Sequence, residues 1–447
     1  MRPLFGGVAQ LAERFGRIEE ARGSIPLTST RLARTLFLAF AISLGACSGG
    51  ESTTSTSAPP STTTTTTSAT TVPSGQIQDD EYSDLIAVTE ELRGLEFLKE
   101  PKIIVISEDE FVERVREDLE EEFEDIEADE AFYTLLGIIE PSVDLKELYL
   151  DLYGEQVAGF YDLEKKELVV PRTGESLSVL EKSTMVHELT HALADQHFGM
   201  WETMEALDEE GRFDAYTAYL SVAEGDAMWV QTEHMGTLSF AELTSLFEES
   251  MEVDSEVFDS APLFITESLL FPYTTGLELV YDVRRSGGSE TVDDLYLNPP
   301  ESTEQVISKN LEEAVMSVPK NEVVLPGYEL IYDADWGQAA FISLFHQVNG
   351  KAEFSGWGGD RMLGFFDGEN AVVAFDVILD DAASASQFSL EMKEYLSQVA
   401  GRSIDEGSSS GEPWVCFESS GNRVVVVMAD EGDAGTSVAQ ALGVGQG

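Results

Sequence analysis

The chain has 447 residues, 43% of them apolar, long enough for two domains that each bury a core. Asp and Glu number 84 against 26 Lys and Arg, a formal net charge of -58. So negative a potential excludes nucleic acid and anionic membrane surfaces as partners; it attracts cations and basic peptides, and otherwise reads as a solvated acidic surface.

The first segments are not fold. Residues 1–30 contain Gly7-Val8-Ala9-Gln10-Leu11-Ala12-Glu13, which looks like the translation of a transfer-RNA gene, and they read as a mis-assigned start. Residues 31–47 read as an export signal: Arg31 and Arg34 precede an apolar stretch too short to span a membrane. It ends Leu44-Gly45-Ala46-Cys47, similar to the bacterial lipobox, in which the cysteine is acylated. Cys47 is therefore the candidate lipidation site, and the expected location is the outer face of the membrane. Lipidation of Cys47 leaves Cys416 without an intramolecular disulfide partner; Cys416, in Trp414-Val415-Cys416-Phe417, reads as a buried strand residue. Residues 48–78 are mostly Ser, Thr, Ala and Pro and read as a flexible tether.

The expected fold class is α+β, with a mainly helical domain over 79–349 and a small α+β unit over 350–447. In the first, the patterns predict helix over 81–98, strand over 102–106, and helices over 108–127, 128–139 and 145–153. Strands over 157–161 and 167–170 read as a hairpin. Helices follow over 178–198 and 213–235, then helical segments to about Asn349. Ser302-Thr303-Glu304-Gln305 reads as a helix cap, and Gly356-Trp357-Gly358-Gly359-Asp360-Arg361 as a tight turn. Beyond Asp367 the pattern is strand 371–379, helix 382–399, strands 413–418 and 423–428, and a terminal helix.

The chemistry lies in Val186-His187-Glu188-Leu189-Thr190-His191-Ala192. Histidines four apart share one helical face about a turn apart, where both reach one metal ion. Glu188 stands about 100° round from His187, placed to touch a metal-bound water without ligating. Met185, Leu189, Ala192 and Leu193 face the core, leaving one wet, ligand-bearing side. Three of the five histidines fall within this one helix. Catalytic zinc takes three protein ligands, and two residues compete for the third place. Glu224 lies on a later helix, with Gly225 beside it allowing close approach to the first. His197 nearly completes the spacing His-Glu-x-x-His-x-x-Gly-x-x-His, but Ala194 stands where that pattern needs a helix-breaking glycine. With the helix continuing, His197 lies about 9 Å along the axis from His191.

A histidine pair of this kind with a downstream helical glutamate resembles the gluzincins, the thermolysin-like branch of zincin metallopeptidases. More closely, three segments are similar to a group of uncharacterised bacterial zincin-like lipoproteins: residues 153–162, residues 187–198 and Pro299-Pro300-Glu301-Ser302-Thr303-Glu304-Gln305. The resemblance covers roughly residues 80–360. It implies zinc held by His187 and His191, Glu188 as general base, and an edge strand near Phe160 that pairs with an extended substrate. The thermolysin pattern has an aspartate four residues after the ligand glutamate; here that position is Met228, and Asp226 is the nearest alternative for supporting the ligands. Tyr273, His234 and His346 are candidates for stabilising the oxyanion, none of them favoured by spacing.

The expectation is a zinc metallopeptidase, exported and lipid-anchored, acting on a peptide or protein substrate. The alternative is a catalytically idle zincin scaffold serving as a surface binding or envelope-assembly lipoprotein.

Overall fold

The computed structural model describes residues 80–445 except 124, 157–158, 173–175, 252–254, 321 and 351. The signal, Cys47 and the tether lie outside the described residues. The class is α+β, as the patterning requires. No helix among the described residues is long and apolar enough to cross a membrane.

The N-terminal half opens with α1 (Asp80–Arg93), β1 (Lys102–Ile106), α2 (Glu108–Glu122), α3 (Ile126–Leu135) and α4 (Leu145–Gln156). The hairpin β2 (Phe160–Asp162) and β3 (Glu167–Pro171) follows. Together these strands make a sheet of order β1-β3-β2, with β1 parallel and β2 antiparallel to β3. Residue alternation along β3 feeds two cores: Leu168 and Val170 face one, Val169 the other. Against the first lies α5 (Val179–Phe198), whose Met185, Val186, Leu189 and Ala192 pack with Ile103 and Val105 of β1. Ser178 and Glu181 form a capping box at its start, and Gly199 ends it in the left-handed region at φ 64°.

After α6 (Met200–Glu209) comes the long α7 (Phe213–Thr237), packed on α5, then α8 (Phe240–Ser250) and α9 (Glu256–Ser260). The second long helix, α10 (Leu263–Gly287), crosses α7 at two glycines. A Cβ on Gly225 would come 2.3 Å from the Gly276 carbonyl oxygen, and one on Gly276 would come 2.1 Å from that of Ser221. Helices α11 (Ser289–Leu297) and α12 (Thr303–Ser308) complete the half. The expected cap at Ser302 is present, its side chain accepting from the Gln305 N–H.

The second sheet is antiparallel, in the order β4 (Glu329–Ala334), β5 (Trp357–Phe366), β6 (Ala371–Leu379), β9 (Arg423–Ala429), β8 (Trp414–Ser420), β7 (Gly407–Ser409). Helices α13 (Gln338–His346) and α14 (Ala382–Val399) cover one face, and α15 (Gly432–Ala441) the other. Three strands depart from the sequence reading, β7 among them, which it did not anticipate. Residues 329–334 form β4 where helix was expected, and Gly356–Arg361 is not a tight turn but the entry into β5. The paired glycines are there because a neighbouring backbone presses on them: a Cβ on Gly359 would come 2.1 Å from the Met316 carbonyl oxygen. Cys416 is buried in β8, as expected. One core runs without a break from Phe132 and Tyr273 to Phe375, Phe388 and Tyr395, so the second sheet is packed onto the helices that precede it.

Candidate metal centre

Helix α5 supplies His187 and His191, and α7 supplies Glu224. Their ligand atoms converge: His187 Nε2 lies 3.1 Å from Glu224 Oε2 and 3.0 Å from His191 Nε2, and His191 Nε2 lies 3.4 Å from Glu224 Oε2. Tetrahedral donors at about 2.0–2.1 Å from a zinc ion stand about 3.3 Å apart. All three side chains are about 1% exposed. Two imidazole nitrogens and a carboxylate oxygen thus converge away from water at the spacing of ligands around one ion, so the donor set fits a metal ion.

The protonation states suit that role. Burial lowers the pKa of His187, against the opposing hydrogen bond with Glu224, and favours the neutral ring that a metal requires. Burial alone would raise Glu224, but the two histidines, His191 first, outweigh it and draw the carboxyl down to about 2. Glu188 behaves in the opposite way. Burial, and next the Glu224 charge, push it well above the usual carboxylate range, opposed by the Tyr161 N–H that donates to its Oε2 at 3.0 Å. Its Oε1 is buried and has no hydrogen-bond partner among the described residues.

The remaining candidates divide. Tyr273, from α10, stacks on His187 with ring centroids 6.2 Å apart and planes 19° from parallel. His346 is held elsewhere, between Glu267 and the Ala352 carbonyl, and His234 lies toward the end of α7, near Glu242 and Lys182. His197 is not a ligand: α5 runs unbroken through Ala194 to Phe198, and its Nε2 meets the Glu96 carbonyl at 2.8 Å. Asp226 does not support the histidines. It pairs with buried Arg93, Nε to Oδ2 at 2.6 Å, and accepts from the Tyr296 hydroxyl, because it lies about 200° round α7 from Glu224. Gly225 permits close approach to α10 rather than to α5.

Two further corrections concern surroundings. The ligand-bearing side of α5 is not wet: every residue from Ser183 to Asp195 is buried, since α7, α10 and the β2–β3 hairpin enclose the helix. Near His187 lies Gln231, whose amide donates to the Ser183 hydroxyl at 3.3 Å, while His187 Nδ1 is buried and has no hydrogen-bond partner among the described residues. Gln231 stands seven residues after Glu224 and so shares its helical face, a spacing visible in the sequence that only the packing makes meaningful.

Compared with known proteins, the chain matches no family model, and no curated protein or solved structure is significantly similar to it. The zincin resemblance therefore rests on the motif residues and their geometry alone.

Proposed function

We propose that the chain is a zinc-dependent peptidase of zincin type, exported and tethered through Cys47. The observation that carries this reading is the convergence of His187, His191 and Glu224 with Glu188 beside them. Two imidazole nitrogens and one carboxylate oxygen suit zinc, and three protein ligands rather than four are the pattern of a catalytic site. A zinc ion held there supplies Lewis acidity, polarising a carbonyl and acidifying water.

The chain's own groups do the rest. Glu188, made more basic by burial, accepts a proton at Oε1 from the attacking water and returns it to the leaving amine, so no net proton is gained or lost. The Tyr161 N–H holds the other oxygen. Tyr273, against the His187 ring, is the candidate donor to a developing oxyanion. An extended peptide lies along β2, one of the two edge strands of its sheet, and a basic one is favoured by the net charge of -58.

Metal analysis and one variant test the reading. The purified chain is expected to hold one equivalent of zinc. Glu188→Gln is expected to keep the zinc and lose about 10²–10⁴-fold in cleavage of a mixed peptide pool. Equal activity of wild type and Glu188→Gln, or a chain without stoichiometric metal, sinks the peptidase. The depth of the site favours a second reading, a metal-bearing scaffold that cleaves nothing. Stoichiometric zinc with an inert wild type would establish that instead. For the tether, Cys47→Ala is expected to move the protein from the membrane fraction to the medium, and an unchanged partition removes the anchor.

A further inference from the structure

Tyr161 touches α5 twice. Its backbone N–H donates to Glu188 Oε2 and its phenol to Asp195 Oδ2, each at 3.0 Å. The two acceptors are seven residues apart, about two turns of one helix, so a single residue of β2 spans α5 from the base to a carboxylate beyond His191. Among the described residues, this N–H is the one hydrogen bond to the Glu188 carboxylate.

Asp195 is buried, and its contacts are with the hairpin and the start of α6. Besides the phenol it accepts from Lys166 Nζ at 2.9 Å and from the Trp201 N–H at 3.2 Å. Lys166 is the last residue of the turn before β3 and takes φ 54°, one of two non-glycine residues in the left-handed region among those described. Asp195 thus grips β2 through Tyr161 and the turn through Lys166. Together with the pairing of Tyr161 to Leu168 of β3, those two points fix where the Tyr161 peptide group lies against Glu188. Loosening them frees the carboxylate to rotate, without touching either histidine or Glu224.

We propose that Asp195 is a positioning residue for Glu188, acting through Tyr161, whose side chain it holds so that the Tyr161 peptide N–H orients the base. The catalytic half of this inference rests on the peptidase reading; the clamp itself does not.

The test uses Asp195→Ala, Asp195→Asn and Tyr161→Phe in the zinc-loaded full chain. Hydrogen exchange of the peptide containing Tyr161, followed by mass spectrometry, is expected to quicken about tenfold or more in Asp195→Ala, with zinc content unchanged. Hydrolysis of the peptide pool is expected to show kcat down on the order of tenfold with KM unchanged. Asp195→Asn, which keeps an acceptor for the phenol, is expected to recover most of both losses. Tyr161→Phe is expected to follow Asp195→Ala. In a Glu188→Gln background the Asp195→Ala change is expected to cost nothing more, because the group it positions is gone. Unaltered exchange in both Asp195→Ala and Tyr161→Phe overturns the clamp. An equal turnover loss with and without Glu188 overturns the positioning role. If Asp195→Ala does not fold, Tyr161→Phe carries the same readouts, alone and in the Glu188→Gln background. A wild type that binds zinc and cleaves nothing defeats the peptidase reading, while the exchange measurement still decides the clamp.

Discussion

Helix α7 carries buried carboxylates in two places, and they respond to burial in opposite ways. At its middle, Glu224 sits between His187 and His191 and falls to about 2. At its first turn, Asp214 sits with Asp335 and Asp360, and burial first, then Asp335, push it well above the ordinary range. Asp335 rises to about 6, chiefly through burial, and Asp360 to about 7, through burial and then Asp335. Desolvation raises all four; the neighbours decide whether the proton stays. Imidazoles keep a buried acid ionised, the form a metal would need, whereas further carboxyls turn it into a hydrogen-bonding brace.

The brace has a structural task. Asp214 Oδ1 accepts from the Thr303 N–H at 2.9 Å and from its hydroxyl at 2.5 Å, and Asp335 accepts from the Asp214 N–H. Asp360 takes the Trp336 and Gly337 N–H groups ahead of α13 and the Trp357 indole. The cluster therefore joins the ligand-bearing helix to α12, α13 and β5. Gly337 has no room for a side chain there, since a Cβ would meet Asp214 Oδ1 at 1.9 Å.

Substitution at each end tests the contrast. The larger effect is expected at Glu224. Glu224→Ala removes the only anionic ligand and leaves two histidines facing each other, so zinc affinity is expected to fall on the order of 10²-fold or more, measured against a competing chelator. Retention of wild-type affinity would mean that Glu224 is merely a satisfied acid like Asp214. The smaller effect is a pH dependence. Asp214, Asp335 and Asp360 hold their protons more tightly folded than unfolded, where aspartate titrates near 3.9. Their contribution is thus fully present below about pH 4 and declines as pH rises, that of Asp335 and Asp360 being lost through about 6 to 7. Glu224 has the reverse sign: its contribution is present above the unfolded glutamate value and is lost as pH falls toward 2. Asp214→Asn removes one charge from the cluster. The stability advantage of wild type over this variant is expected to shrink between pH 4 and 7, by at most about 1.4 kcal/mol per pH unit, in urea titrations. A difference independent of pH would show that the cluster is ionised throughout.

Local pattern determined much of this protein. Helix periodicity and the Ser178 and Gly199 ends fix α5, and with it the shared face of His187 and His191. Ala194 already indicated that the helix continues and carries His197 out of reach, and the apolar runs in 371–379 and 423–428 read correctly as strands. What failed was whatever depends on a partner distant in sequence. Gly358 and Gly359 read as a turn because Met316, whose side chain presses on the first and whose backbone presses on the second, lies about forty residues upstream. Asp226 looked like ligand support until Arg93, 133 residues away, took its carboxylate. Gln231 has only its spacing from Glu224, and Tyr161 and Asp195 carry no local signature at all; they lie at the site because α7 and the β2–β3 hairpin, which flank α5 in the sequence, both pack against it. A helix brings its own residues i and i+4 together by covalent geometry, so the sequence determines that pair unaided. The approach of Glu224 to the two histidines, the hydrogen bond on Glu188 and the burial of the whole centre come from how separate elements dock, and only the tertiary structure decides that.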